Sequence, residues 1–194
     1  MQYVAIDFET ASRRSNSACS IGLVRFDEEG VKMGEYYSLI KPPYSVFDPL
    51  CVSIHHIRSE DVENAPDFSE IWDDISSFIS SSPLVAHNAQ FDMNVLASTL
   101  DYYRIPIPAI DYYCTLSLSR KLWQKPSYAL TNLALDLGWS YDAHNALADA
   151  ETAGRLFSRL CGEYLFDDVL FSRFMKRLYK KSDNPFPRSL AKHS

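Results

Sequence analysis

The first ten residues place two carboxylates at the end of an apolar run. Asp7 and Glu9 follow Tyr3–Ile6, a segment typical of a buried strand, and Phe8 stands between them. Side chains two apart in a strand point to the same side, so the two carboxylates share a face and Phe8 faces the core. Two neighbouring carboxylates repel each other, and a fold that places them together usually supplies a cation. The pair indicates a metal site, although two unrelated acids at a solvated strand end would show the same pattern.

Two later junctions place a carboxylate near the start of a predicted helix. H-N-A-Q-F-D (His87–Asp92) follows a short apolar strand, and H-N-A-L-A-D (His144–Asp149) opens a long helical segment. Five positions turn an α-helix by about 500°, so His144 and Asp149 would not meet if both were helical. If the histidine lies in the loop before the first turn, it can fold back over the carboxylate. That arrangement suits a mobile base above a metal ion held by a helical ligand.

These junctions need a scaffold that brings strand ends and helix starts together. Short apolar runs joined by turn-sized gaps predict three antiparallel strands, and the later strands alternate with helices. This order predicts an α/β fold with a mixed central sheet of about five strands flanked by α-helices. Sites in such sheets form at the carboxyl ends of the strands. The predicted strands are Tyr3–Ile6, Ile21–Phe26, Glu35–Ile40, Leu84–Ala86 and Ala109–Tyr112, and the predicted helices are Asp67–Ser80, one after Asp92, Leu116–Trp123, Leu130–Leu137, Asn145–Tyr164 and Asp168–Lys180.

The charge distribution limits the partners. From Arg173 onward there are seven Lys and Arg residues and one Asp, a net charge of +6. Because the whole chain has a net charge of −6, residues 1–172 have a net charge of −12. A body that acidic lacks the clustered basic residues that hold long duplex DNA, so contact with a nucleic acid should be local. The four cysteines show no ligand or disulfide spacing, and no apolar run spans a bilayer. We therefore expect reduced thiols, no membrane association and a cytoplasmic location.

Taken in order, the three motifs D-F-E-T, H-N-A-Q-F-D and H-N-A-L-A-D resemble those of the DEDDh exonuclease family, which includes the proofreading epsilon subunit of bacterial DNA polymerase III, ribonuclease T and oligoribonuclease. The resemblance covers about residues 1–160 and takes in S-I-G-L-V, T-L-S-L-S-R and Y-A-L-T-N-L-A as well. It implies a ribonuclease H-like fold and hydrolysis of phosphodiester bonds from a 3′ end, with release of nucleoside 5′-monophosphates. We accordingly divide the chain into an exonuclease domain, residues 1–165, and a basic helical extension and tail, residues 166–194.

The resemblance also implies roles for individual residues. Two Mg²⁺ or Mn²⁺ ions would be held by four carboxylates, and His144 would accept the proton of the attacking water. Loop packing or a place in the core would explain the implied nucleotide contacts about as well, and His87 and Asn88 fit loop-orienting roles better than metal binding. The implied metal ligands are Asp7, Glu9, Asp92 and Asp149, and the implied nucleotide contacts are Thr10, Ile54, His55 and Phe91.

The chain departs from the family pattern where substrate is expected to bind. Ser12 and Arg13 replace a common Gly and apolar pair after the first motif, and His56 and Arg58 replace a common Gly and Thr. Arg13, Arg14 and Arg58 either contact phosphates, supplying the local grip, or are ordinary solvated arginines.

Three functions remain open at this stage. The expected one is exonuclease action on single-stranded or frayed 3′ ends, with DNA as the substrate. The alternatives are an RNA-directed trimming nuclease and an accessory module that binds a DNA polymerase through the basic tail. The oligomeric state is left open.

Overall fold

A computed structural model describes residues 1–163 and 172–178 of the chain. In this part of the protein a six-stranded mixed sheet runs in the order β3-β2-β1-β4-β5-β6. The first three strands pair antiparallel, β1 pairs parallel with β4, β4 pairs parallel with β5, and the last pair is antiparallel. The strands are β1 (Tyr3–Thr10), β2 (Ala18–Phe26), β3 (Lys32–Leu39), β4 (Leu84–Ala86), β5 (Ile110–Cys114) and β6 (Lys176–Leu178).

Six α-helices accompany the sheet in the described residues. A 3₁₀ turn at Ser59–Val62 lies between the first and second of them. None of the described helices is both long and apolar enough to cross a membrane. The helices are α1 (Pro49–His55), α2 (Phe68–Ile79), α3 (Gln90–Tyr102), α4 (Thr115–Leu122), α5 (Leu130–Asp136) and α6 (Ala146–Glu163).

The two faces of the sheet carry separate apolar cores, and β1 contributes to both. Val4, Ile6 and Phe8 pack with α2 and α3 on one face. Tyr3 and Ala5 pack with α5 and α6 on the other. Because side chains alternate along a strand, Asp7 and Glu9 continue the row of Tyr3 and Ala5 and point toward the α6 side.

The sequence-based α/β prediction is confirmed, with one strand more than expected. The helix predicted over Asp168–Lys180 is wrong at Lys176–Leu178, which forms β6, whereas residues 172–174 are helical. Arg177 of this strand pairs with Asp111 of β5 through two contacts of 2.6 and 2.9 Å. An open sheet edge offers a row of backbone partners, and this outweighs the local helical spacing. The rest of the predicted extension and tail lies outside the described residues.

Candidate active site

The first strand delivers two acids to the centre of the sheet. β1 lies between β2 and β4, and Phe8 is buried against Phe68 of α2 on the opposite face from the acids. Asp7 and Glu9 remain partly buried at the carboxyl end of β1. The predicted division of faces around Phe8 therefore matches the structure.

The third carboxylate enters from the start of α3. Asp92 lies in the first turn of that helix and is only 1% exposed. Its Oδ1 accepts a hydrogen bond of 3.2 Å from the backbone N–H of Phe8, which ties α3 to β1. Its Oδ2 is buried and has no hydrogen-bond partner among the described residues. A buried carboxylate oxygen without a partner is costly, so this oxygen is open to a ligand from outside the chain.

The fourth carboxylate enters from the start of α6, and the preceding loop folds over it. The Asn145 side chain caps the helix by accepting from the N–H groups of Leu147 and Ala148 at 3.1 and 3.2 Å. His144 precedes the cap in a left-handed conformation, φ 65°, and its backbone N–H donates to Asp149 Oδ2 at 2.7 Å. The histidine thus lies before the helix and folds back, as the spacing predicted.

Three ligand-type side chains meet at this point. One ligand atom each of Glu9, His144 and Asp149 lies within 4.8 Å of the others. His144 is exposed, whereas the two acids are partly buried. Asp7 and Asp92 also interact electrostatically with Asp149, so all four carboxylates belong to one cluster.

Burial disfavours the ionised forms of all four acids, and repulsion from neighbouring acids adds to it at Asp7, Glu9 and Asp92. Burial is the main reason that the pKa values of Glu9 and Asp92 rise to about 8, and the charge of Asp149 adds to both. The pKa of Asp7 is raised by burial, then by Asp92, Asp149 and Glu9. Burial also raises the pKa of Asp149, while the hydroxyl and backbone donors around it act in the opposite direction. The cluster therefore resists full ionisation when empty, and an added cation would stabilise its ionised, negatively charged form.

Sequence reasoning missed two residues that shape this cluster. The Tyr141 hydroxyl donates to Asp149 Oδ1 at 2.9 Å. Gly22 of β2 lies opposite Asp7 in the sheet, and a Cβ there would come within 2.3 Å of the carbonyl oxygen of Ala146. Only glycine lets the first turn of α6, which carries Asp149, approach the sheet so closely. A glycine inside an apolar strand is itself a signal of close approach, and that signal was available in the sequence.

The side chains expected at the nucleotide differ in accessibility. Ile54 is 48% exposed and Phe91 is 43% exposed, whereas Thr10 and His55 are buried. Nδ1 of His55 accepts the N–H of Ile57 at 3.0 Å, so Nε2 carries the proton and donates to the Thr10 carbonyl at 3.2 Å. His55 therefore holds the backbone just after the acidic pair.

His87 has a loop-orienting role in the structure. Its Nδ1 lies 2.9 Å from Thr115 Oγ1, and its Nε2 lies 2.9 Å from the carbonyl of Tyr128. Burial lowers the pKa of His87 to about 4, so the ring stays neutral near neutral pH. Both ring nitrogens are thus engaged between α4 and the segment before α5, which agrees with the predicted structural role.

Comparison with known proteins places the fold and the family. Exonuclease I of E. coli, in complex with a dT13 oligonucleotide, has a TM-score of 0.79 at 19% identity, over 89% of this chain and 44% of that one. The nuclease domain of 3′hExo, a DEDDh family member bound to rAMP, has a TM-score of 0.75 at 16% identity, over 85% of this chain and 94% of that one. At these identities the likeness shows the fold.

Related sequences and a family model identify the family to which the chain belongs. DNA polymerase III subunit epsilon of Treponema pallidum is 31% identical over 168 residues, covering 84% of this chain and 77% of that protein. DNA polymerase III PolC-type of Thermotoga petrophila is 32% identical over 166 residues, but the match spans only 12% of that much longer protein. The exonuclease model RNase_T matches residues 4–157. The chain therefore belongs to the RNase_T exonuclease family and, as its three motifs predicted, is a 3′–5′ exonuclease.

Proposed function

We propose that this protein is a divalent-metal-dependent 3′–5′ exonuclease that acts on single-stranded or frayed DNA ends and releases nucleoside 5′-monophosphates. The observation that carries the proposal is the convergence of four acids from β1, α3 and α6, together with the unpartnered buried oxygen of Asp92.

The chemistry of the cluster fits two Mg²⁺ or Mn²⁺ ions. Carboxylate oxygens are the ligands that these hard cations prefer, and a cation offsets the repulsion that raises the pKa values of the acids. The chemistry that such ions would supply is activation of a water molecule and stabilisation of the leaving 3′ oxygen. The residues that would hold them are Asp7, Glu9, Asp92 and Asp149.

His144 is suited to accept the proton of the attacking water. Its side chain is exposed at the edge of the cluster, and a ring nitrogen lies within 4.8 Å of carboxylate oxygens of Glu9 and Asp149. The backbone bond from His144 to Asp149 holds the histidine at the edge of the cluster, and its exposed imidazole is accessible to substrate. The positively charged ring that results is stabilised by the nearby carboxylates.

The surrounding apolar side chains would position the terminal nucleotide. Ile54 and Phe91 are exposed; Ile54 lies on α1 next to His55, which contacts Thr10, and Phe91 lies next to Asp92 in the first turn of α3. Aromatic and apolar side chains bind bases by stacking, largely without regard to base identity. We assign Thr10 a backbone contact to the 3′ hydroxyl and His55 the task of holding Thr10 in place.

DNA is the favoured substrate because the relative matched over most of its length is named as a DNA polymerase III subunit. RNA is the second candidate, since 3′hExo, which shares the fold, is bound to rAMP in its structure. The 2′-hydroxyl is the group that separates the two substrates.

The deciding experiment compares 5′-labelled DNA and RNA oligonucleotides of one sequence with Mg²⁺, with Mn²⁺ and with EDTA. We expect a ladder shortened from the 3′ end in either metal, none in EDTA, and faster shortening of DNA. Asp149→Ala should abolish the ladder, whereas Asp142→Ala, an exposed acid of the same loop, should leave it unchanged. Intact oligonucleotides with both metals would refute the proposal, and faster shortening of RNA would favour the second candidate.

We also propose that a DNA polymerase is a partner, bound through the basic extension of residues 166–194. The proposal rests on the name of the Treponema relative and on the charge of +6 from Arg173 onward. Capture of a replicative polymerase by the full chain, but not by a chain ending at residue 165, would support it. Equal capture by both chains, or capture by neither, would contradict it.

A further inference from the structure

Two tyrosines and an arginine form an exposed surface at the C-terminal end of α3, the end away from the acidic cluster. We call it the Arg14 patch; it consists of Arg14, Tyr44 and Tyr102. The Arg14 guanidinium carbon lies 4.9 Å from the centroid of the Tyr44 ring, and the Tyr44 and Tyr102 rings are 5.9 Å apart. The two rings are 39% and 43% exposed. Three separate segments, the β1–β2 loop, the β3–α1 loop and the end of α3, thus present one continuous surface.

The helix α3 connects this patch to the proposed active site. Asp92 and the exposed Phe91 lie in its first turn, and Tyr102 is its last residue. Eleven residues at about 1.5 Å each separate Phe91 from Tyr102, a distance of about 16 Å. An open groove of about 430 Å³ accompanies the end of the helix. It is lined by Ser15, Asn16, Ser98, Asp101 and Tyr102.

The chemistry of the patch fits single-stranded nucleic acid. Exposed aromatic rings with an adjacent arginine bind unpaired bases by stacking and by cation–π contact. Nε of Arg13 lies 3.7 Å from Oδ2 of Asp48 and forms an ion pair with it. Arg14 forms no ion pair with any described residue, so its guanidinium can bind a phosphate. Asp101 in the groove disfavours phosphates there, so bases are expected to face that part. On a body of charge −12, this is a local contact that does not depend on an extended basic surface.

We propose that the Arg14 patch binds the single strand upstream of the terminal nucleotide. At the stacked spacing of about 3.4 Å, 16 Å corresponds to about five nucleotides, and to fewer in an extended strand. The placement of the 3′ end rests on the proposed exonuclease function. The patch makes the enzyme favour strands long enough to reach from the acidic cluster to Tyr102.

Binding is measured by fluorescence anisotropy of labelled dT3 and dT12 in EDTA, where no hydrolysis is expected. For dT12, Tyr102→Ala should raise Kd by about 5- to 150-fold, the size expected for loss of a stacked base. For dT3 the change should stay below about twofold, and Tyr102→Phe, which keeps the ring, should bind dT12 like the wild type. Arg14→Ala should weaken dT12 binding and lower the salt dependence by about one phosphate contact.

Arg155→Ala provides the matched control. The Arg155 guanidinium also lies over an aromatic ring, 4.4 Å from the centroid of Trp139, but on α6 on the other side of the sheet. The Arg155→Ala variant should bind both oligonucleotides with the Kd of the wild type. Equal effects of Tyr102→Ala on dT3 and dT12, or no effect on either, would overturn the proposal.

Hydrolysis of dT3 and dT12 with Mg²⁺ separates this inference from the proposed function. If the wild type shortens both oligonucleotides and the patch variants shorten dT12 at the wild-type rate, the inference fails and the proposed function stands. If the wild type shortens neither but binds dT12 through Tyr102, the proposed function fails and the patch remains a binding surface.

Discussion

Replacing Asp92 with Asn should stabilise the metal-free protein while removing activity. Asp92 is 1% exposed, its Oδ2 has no partner among the described residues, and its pKa is raised from the ordinary 3.8 to about 8, mainly by burial. At about 1.4 kcal/mol for each pH unit, that difference corresponds to an upper limit of about 5 kcal/mol of instability at pH 8. An amide nitrogen in place of Oδ2 carries a cost of about 1–3 kcal/mol if it lacks an acceptor. The net gain at pH 8 should be about 2–4 kcal/mol, or a Tm increase of about 5–15 °C.

The sign of the pH dependence follows from proton binding. Between pH 4 and pH 8 the folded wild type keeps a proton on Asp92 that the unfolded chain releases, so its free energy of unfolding falls as the pH rises. This component of stability is fully present below pH 4, is lost by about pH 8 and does not change above that. The variant lacks this titration, so its free energy of unfolding relative to the wild type should rise from about 1–3 kcal/mol lower at pH 4, the cost of the amide, to its maximum at pH 8. His87 titrates in the opposite sense but cancels in the difference, because both proteins contain it.

Urea unfolding in EDTA at several pH values from 5 to 8 measures the difference directly. Asp101→Asn, an exposed acid on the same helix, is the control and should stay within about 0.5 kcal/mol of the wild type at every pH. Adding Mg²⁺ should raise the Tm of the wild type more than that of Asp92→Asn, and the variant should lose about 10²- to 10³-fold in rate. A variant less stable than the wild type at pH 8 in EDTA, or a difference that does not change with pH, would refute the electrostatic reasoning.

Three further predictions concern the residues that hold the cluster in place. Gly22→Ala should lower the free energy of unfolding by about 1–3 kcal/mol and kcat by about 100-fold, because the added methyl group displaces α6. The control is Gly34→Ala, where a Cβ has no neighbour within 4 Å among the described residues; it should change neither quantity in the unfolding and ladder assays. Tyr141→Phe removes the donor to Asp149 Oδ1 and should weaken calorimetrically measured Mn²⁺ binding by about 10-fold with little change in Tm; unchanged affinity would contradict this role. His87→Leu removes the donor to the Tyr128 carbonyl and leaves the Thr115 hydroxyl with the Ala86 carbonyl at 3.3 Å, so it should lower the free energy of unfolding by about 1–3 kcal/mol. A smaller loss would mean that water replaces the ring.

Local rules predicted the parts of the site that depend on neighbouring residues. The alternation of side chains in a strand placed Asp7 and Glu9 on one face and Phe8 on the other. Helix geometry indicated that His144 had to precede α6 if it was to meet Asp149, and the structure has this arrangement. Both results follow from a few consecutive dihedral angles and need no knowledge of distant contacts.

The errors arose where distant contacts decide the structure. The strand β6 forms because the edge of β5 is free to pair, which no local pattern reveals. The helix α1 was missed, although Asp48 followed by Pro49 is a cap and first-turn signal that was present in the sequence. The contribution of Gly22 depends on how closely α6 approaches β2, and that of Tyr141 on a loop that folds back over Asp149.

The surroundings of the acidic cluster explain how a repulsive group of charges persists in a folded protein. No Lys or Arg in the described ranges forms an ion pair with any of the four carboxylates, and those that do form ion pairs do so elsewhere on the surface. Among the described residues the acids accept from neutral donors, such as the N–H of Phe8, the hydroxyl of Tyr141 and the N–H of His144. Such donors orient a carboxylate without neutralising it, whereas a lysine at the same place would remove the attraction for any other cation. A site built in this way is poorly stable when empty and is expected to draw its cation from solution.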